Sequence, residues 1–126
     1  MPTPPRTILV IAAQSESAAT LMSYLARHDL SVISRRQLDA VDASEGAEAC
    51  VLLHDGFRLM DLVDAARRWI ARSAGPLIVI TAEIPTVRMA MGTEHPRGAA
   101  RLLPRQTFAW TVYDLLTSPS DSPPTW

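Results

Sequence analysis

Short, continuous apolar segments separated by helical patterns constrain the fold of this sequence more than any other feature. Three of them have the length of a β-strand, at residues 8–12, 50–53 and 77–80. Their apolar residues do not alternate with polar ones, which is typical of parallel strands covered on both faces. Weaker candidates lie at residues 31–34 and 100–103. We therefore expect five strands in one parallel sheet.

Helical patterns fill the segments between these strands. Ser15 is the expected N-cap of a first helix, which ends near His28. Its apolar stripe is formed by Ala18, Leu21, Met22 and Leu25. A second long helix covers residues 58–73, with Asp64 and Arg68 paired one turn apart on its wet face. Its buried stripe is formed by Leu59, Val63, Ala66 and Ile70.

Three shorter helices complete the pattern. One covers residues 38–43 and ends at Gly46, and another follows Pro85 and turns Val87 and Met91 inward. The last covers residues 107–116. Its expected buried side is formed by Phe108, Val112 and Leu115. Strand and helix thus alternate five times, which predicts an α/β fold with a doubly wound parallel sheet and right-handed crossovers.

Composition limits the protein to one compact domain. The chain has 126 residues, and the proline- and serine-rich segments 1–6 and 118–126 are expected to be disordered, which leaves residues 7–117 for the domain. The single cysteine, Cys50, lies in an apolar run and is expected to be a buried, inert thiol. We find neither a signal-peptide pattern nor a membrane-length segment, so we expect a cytoplasmic protein.

Charge and basic residues argue against several partners. The net charge is −1, so composition favours neither nucleic acid nor a membrane surface as a partner. All twelve Lys and Arg residues are arginine. The absence of lysine, together with abundant alanine, is typical of a GC-rich bacterial genome. The sequence also contains no glycine-rich phosphate loop and no Gly-x-Ser-x-Gly elbow, and we expect no enzymatic activity.

Four stretches carry a resemblance to a known family: ILVIAAQ (8–14), EACVLLHDG (48–56), GPLIVITA (75–82) and RGAARLLPR (97–105). Through them, nearly the whole chain, residues 7–117, resembles the receiver domain of bacterial response regulators. The resemblance implies a flavodoxin-like fold of five βα units with strand order 2-1-3-4-5. It also implies a role in two-component signalling.

The resemblance also locates a phosphoryl pocket. In that family, two acidic residues after the first strand hold magnesium and an aspartate ending the third strand accepts a phosphoryl group. A hydroxyl after the fourth strand and a lysine after the fifth bind that group. In this sequence these positions fall on Ala12, Ala13, His54, Thr81 and Arg105, with Asp55 one place after His54.

The substitutions remove the family's chemistry from the pocket. Magnesium is usually held by one or two carboxylates together with phosphate oxygens, and Ala12 and Ala13 supply no oxygen. Without the metal, the charge of a transferring phosphoryl group is not neutralised. Arg105 keeps a positive charge, but a guanidinium differs in shape from an ammonium. We expect no metal and no cofactor at this degenerate phosphoryl pocket.

Asp55 and His54 leave alternatives open. Asp55 would occupy the acceptor position if the third strand ended one residue later, but Asp55-Gly56 also fits the turn that leaves the strand. His54 fits a hydrogen-bonded histidine at a strand end better than a metal ligand, because His28 and His95 have no ligand-like spacing to it.

The last two helices offer a candidate interface. Trp110 and Tyr113 are expected on one flank of the final helix, with Met89 near them from the preceding helix. Exposed aromatic residues and methionine in one patch favour a protein contact. Receivers commonly meet partners through this region, so the resemblance implies another signalling protein, or a second copy in a homodimer, as the partner.

These observations favour a non-enzymatic signalling protein: a stand-alone pseudo-receiver that regulates by protein–protein interaction without magnesium-dependent aspartate phosphorylation. One alternative is an atypical phosphorelay receiver modified at Asp55. The other is a small-ligand sensor that uses the less polar pocket near Ala12, Ala13, His54 and Thr81.

Overall fold

The computed structural model describes residues 6–43, 46–72, 75–91 and 100–117. The strands in this part of the chain are β1 (Thr7–Ile11), β2 (Ser31–Arg35), β3 (Ala49–Leu53), β4 (Leu77–Thr81) and β5 (Ala100–Pro104). The helices are α1 (Ser15–Arg27), α2 (Ala40–Ala43), α3 (Leu59–Arg72), α4 (Ile84–Met91) and α5 (Ala109–Thr117). None of the described helices has both the length and the apolar character needed to cross a membrane.

The strands form a single parallel sheet in the order β2-β1-β3-β4-β5. The predicted α/β fold class and strand order 2-1-3-4-5 are therefore confirmed. Every residue of β3, the central strand, is buried, as its uninterrupted apolar run predicts. Parallel pairing places the carboxyl ends of β1, β3 and β4 at the same edge of the sheet.

Apolar clusters cover the two faces of the sheet. Leu9, Cys50 and Val79 point to one face, where they pack with residues of α2, α3 and α4. Ile8, Val51 and Ile78 point to the other face, where α1 and α5 cover them. Neighbouring residues of one strand thus serve opposite faces, because side chains alternate along a strand. The expected burial of Cys50 is confirmed, and desolvation raises the pKa of its thiol.

Trp69 anchors α3 in a way that the sequence analysis missed. It is fully buried, whereas Ile70, the predicted core residue, is only half-buried. Its indole Nε1–H donates a hydrogen bond to the carbonyl oxygen of Gly75 at 3.0 Å. Gly75 has φ +143°, and a Cβ there would lie 1.9 Å from the carbonyl oxygen of Glu48. Only glycine therefore fits at position 75, in the segment between α3 and β4.

The start of the last helix differs from its prediction. The helix begins at Ala109 instead of residue 107, and Val112 and Leu116 form its buried positions. Phe108, predicted to be buried, is 65% exposed because it precedes the helix and does not share its periodicity. Leu115, also predicted on the buried side, is only partly buried, although it packs against the core.

Smaller differences concern the first two helices and the termini. The N-cap of α1 is Gln14, and Ser15 is the first helical residue. The helix predicted over residues 38–43 begins at Ala40. Of the predicted terminal segments, residues 1–5 and 118–126 lie outside the described residues. Arg6 is described, and its carbonyl oxygen accepts a hydrogen bond from the Ser31 amide at 2.8 Å.

Candidate functional site

The candidate site lies at the carboxyl edge of the sheet, where β1, β3 and β4 end together. Ala12 follows β1, and its amide donates to the carbonyl oxygen of Arg35 at 3.0 Å. His54 follows β3, and its amide donates to the carbonyl oxygen of Ile80 at 2.9 Å. The backbone of the edge is thus fixed by the sheet on both sides of the site.

His54 and Thr81 form a buried polar pair at this edge. The imidazole Nδ1 lies 2.7 Å from the Thr81 hydroxyl oxygen, and the two residues are 8% and 1% exposed. The same hydroxyl oxygen accepts a hydrogen bond from the Glu83 amide at 3.0 Å. Buried polar groups need such partners, because an unsatisfied one retains its desolvation penalty. The Thr81 hydroxyl is therefore engaged by this chain's own groups.

A tight turn carries the chain away from β3. The Phe57 amide donates to the carbonyl oxygen of His54 at 3.0 Å, which places Asp55 and Gly56 at the central turn positions. Gly56 has φ +89°, and a Cβ there would lie 2.6 Å from the Cβ of Ala13. The turn therefore packs directly on Ala13, and its backbone requires glycine on two grounds, conformation and space.

Asp55 is drawn towards the fifth strand. Its Oδ2 lies 2.9 Å from Nε of Arg105, which follows β5. The two side chains are 40% and 65% exposed, so solvent screens the pair, and exposed pairs of this kind contribute about 0–1 kcal/mol to stability. Four of the six residues predicted for the pocket thus meet in pairs: His54 with Thr81, and Asp55 with Arg105.

The residues at this edge do not fit a magnesium ion. The side chains of Ala12 and Ala13 have no donor atom, and the Asp55 carboxylate already bonds Arg105. Magnesium requires oxygen ligands in near-octahedral geometry. Within the described ranges, no group of three or more His, Cys, Asp or Glu residues has the arrangement of a metal site.

The predicted interface residues differ in exposure. Met89 is 84% exposed on α4 and Trp110 is 53% exposed on α5. Tyr113 is half-buried between α1 and α5, with its ring centroid 4.8 Å from that of His28 and 6.1 Å from that of Tyr24.

Phe108 is the exposed aromatic residue that sequence reasoning missed. Its ring stacks on that of Trp110 with centroids 5.7 Å apart and an interplanar angle of 9°. A helix that began at Thr107 would point Phe108 and Trp110 to different sides. The sequence signal that could have revealed the pair is Thr107, because a threonine hydroxyl often bonds nearby backbone and favours a turn. In the structure this hydroxyl donates to the carbonyl oxygen of Pro104 at 2.6 Å, in the turn before α5.

A shallow cavity of about 340 Å³ lies beside the turn that leaves β3, with Phe57 in its lining. It is bounded by the segment after β2 and by α3, with Leu38 and Phe57 as its apolar lining and Asp61 and Arg68 among its charged lining. None of the predicted pocket residues lines it.

The comparisons with known proteins give a likeness at the level of the fold. No protein-family model and no curated protein sequence matches the chain. Solved structures do. The chemotaxis protein CheY4 of Vibrio cholerae is 13% identical, with 87% of this chain and 94% of that chain covered and a TM-score of 0.66. A response regulator protein from Burkholderia multivorans is 22% identical, with coverages of 94% and 99% and a TM-score of 0.62.

A third similar structure contains a bound partner. It is the receiver domain of the Saccharomyces cerevisiae response regulator Ssk1, crystallised with the histidine phosphotransfer protein Ypd1. It is 13% identical, with 93% of this chain and 90% of that chain covered and a TM-score of 0.66. At these identities the likeness establishes the fold, which is the receiver fold.

Proposed function

We propose that this protein is a degenerate receiver, a pseudo-receiver that regulates by binding another signalling protein and does not undergo magnesium-dependent aspartate phosphorylation. One observation carries the proposal: Ala12 and Ala13 follow β1, at the sheet edge where receivers hold their metal. A methyl group cannot coordinate magnesium, and the transferring phosphoryl group then lacks its counter-charge.

The hydrogen bonds at the same edge support the proposal. Thr81 has its hydroxyl occupied by the His54 ring and the Glu83 amide. A phosphoryl oxygen would have to displace these bonds. Ala12, His54 and Thr81 are at most 8% exposed, so their burial favours a structural role over an emptied ligand pocket.

The exposed apolar side chains near β5 support a protein partner. Met89 is on α4, while Phe108 and Trp110 stand at the start of α5, and each is more than half exposed. Aromatic residues and methionine are enriched at protein interfaces. The Ssk1 receiver, which has the same fold, was crystallised with a signalling partner. We propose the same class of partner here, with a second copy of this chain as the alternative occupant.

Thermal unfolding with and without ligands tests the loss of the switch. We expect the Tm to stay within error when magnesium, or magnesium with beryllofluoride, is added, because binding only to the folded state would raise it. A phosphorylatable receiver run in parallel is the positive control and should shift upward. A reproducible rise for this protein with both additions would contradict the proposal.

A second candidate function, phosphorylation of Asp55 without the usual metal, has one observation in its favour. The Asp55 side chain is 40% exposed, and Arg105 beside it could pair with an added phosphoryl group. Intact-mass measurement after incubation with acetyl phosphate separates the two functions. A gain of one phosphoryl mass in the wild type that Asp55→Asn abolishes supports modification, whereas unchanged mass in both supports the pseudo-receiver.

A further inference from the structure

An aromatic pair is exposed at the start of α5. Phe108 precedes the helix, Trp110 is its second residue, and they are 65% and 53% exposed. Their rings are nearly parallel, at 9°, with centroids 5.7 Å apart. The two rings thus form a contiguous exposed apolar surface, and such surfaces mark sites where another segment or molecule binds.

The chain that follows α5 has the composition of a ligand for such a surface. Residues 118–126 read SPSDSPPTW. Pro123 and Pro124 favour the extended polyproline conformation, which binds aromatic surfaces at a low entropic cost because it is already ordered. Trp126 adds a third large ring two residues later.

The length of this segment matches the distance that it must cover. The helix from Trp110 to Thr117 is roughly 10 Å long at 1.5 Å per residue. Residues 118–122 span roughly 15 Å when extended at 3.1 Å per residue. If the chain turns back after Thr117, Pro123 and Pro124 come level with Trp110, and the excess length serves the turn.

Covalent attachment favours this segment over a separate molecule. Five residues separate Thr117 from Pro123, and a short tether of this kind gives the attached segment an effective concentration in the millimolar range. A second copy of the chain reaches that concentration only at unusually high protein levels. A weak contact between proline and aromatic rings is therefore made within the chain before it is made between chains.

We propose that residues 123–126 fold back and dock on the Phe108–Trp110 pair of the same chain. Docking replaces the disorder expected for this segment from its composition. The docked segment covers the Phe108–Trp110 part of the surface proposed for a protein partner. Docking does not require that partner to be bound.

Fluorescence quenching by acrylamide tests the proposal in the full-length chain. All variants carry Trp126→Phe, which keeps an aromatic ring and leaves Trp110 as the accessible fluorophore, because Trp69 is fully buried. Adding Pro123→Ser and Pro124→Ser should raise the quenching constant of Trp110 about twofold, since docking covers about half of a large ring. The matched control adds Ser118→Ala and Ser120→Ala, in the half of the segment not used for docking, and should leave quenching unchanged.

Two outcomes overturn the proposal. Equal quenching in the proline variant and in the control means that the prolines do not cover Trp110. Quenching that increases on dilution of the otherwise unaltered Trp126→Phe chain means that a second copy covers the pair. Nuclear Overhauser contacts between the Pro123 or Pro124 ring protons and the Phe108 ring, in a chain mixed with unlabelled protein, confirm docking within one chain, and their absence refutes it.

Discussion

Thr81 is the residue on which the candidate site depends most. It is 1% exposed at the end of β4, and one hydroxyl serves both the His54 ring and the Glu83 amide. The same residue type in a phosphorylated receiver would bind the phosphoryl group. Here its bonds hold the end of β3 to the start of the loop after β4, which is a structural task.

Replacing Thr81 with valine keeps the side-chain shape and removes the hydroxyl. We expect the free energy of unfolding to fall by about 1–3 kcal/mol, because the His54 ring would be buried without a partner. Urea unfolding measures the change. Thr86→Val is the matched control, since Thr86 is exposed on α4, and it should change stability little. Equal losses in both variants would mean that the hydroxyl pairing contributes nothing.

At the scale of elements, arginines of α3 hold the neighbouring helices in place. Arg68 bonds Asp42 of α2 and lies 3.2 Å from Asp64, while Arg72 donates to the carbonyl oxygen of Val41. The helix α2 has only four residues, too few to be stable without such contacts.

Arg67 does the same for α4. Its guanidinium donates to the carbonyl oxygens of Ala90 and Met91 at 2.8 and 3.2 Å. These are the last carbonyls of α4, which have no partner within the helix. A positive charge at this end also interacts favourably with the helix dipole.

Arg67→Ala should therefore loosen α4 while leaving the sheet intact. We expect amide hydrogen exchange in α4 to accelerate about fivefold, corresponding to about 1 kcal/mol, with unchanged protection in β1 and β3. Arg58→Ala, an exposed arginine just before α3, is the control and should leave α4 unchanged. If both variants exchange alike, the contacts to Ala90 and Met91 do not stabilise the helix.

At the scale of the whole molecule, two apolar clusters share one sheet. Trp69 lies in the cluster under α3 and Val112 in the cluster under α5, and the strands between them contribute side chains to both. If one cluster loses its packing, water reaches one face of the strands whose other face packs in the second cluster. Loss of one cluster therefore destabilises the other. We infer that the domain unfolds as one cooperative unit, as small single domains usually do.

Urea unfolding followed by two probes tests this cooperativity. In a Trp110→Phe, Trp126→Phe variant, the remaining tryptophan, Trp69, reports on one cluster, while far-UV circular dichroism reports on all helices. We expect the two midpoints to coincide. A fluorescence midpoint clearly below that of circular dichroism would show that the Trp69 cluster opens independently.

Sequence alone was sufficient for the architecture. Uninterrupted apolar runs mark β1, β3 and β4, and weaker apolar runs mark β2 and β5. The helical spacing of Ala18, Leu21 and Leu25 identified the buried face of α1. These features are local, because backbone periodicity decides which side chains share a face. The two alanines after β1, which carry the proposed function, are equally plain in the sequence.

The contacts within the site were decided by tertiary structure. His54 and Thr81 are 27 residues apart, and Arg105 reaches Asp55 from the far end of the chain. The periodicity also failed where a helix began later than expected, which left Phe108 exposed and stacked on Trp110. Which strand ends meet, and which backbone turn precedes a helix, depend on interactions between distant segments, and no pattern within a single segment encodes them.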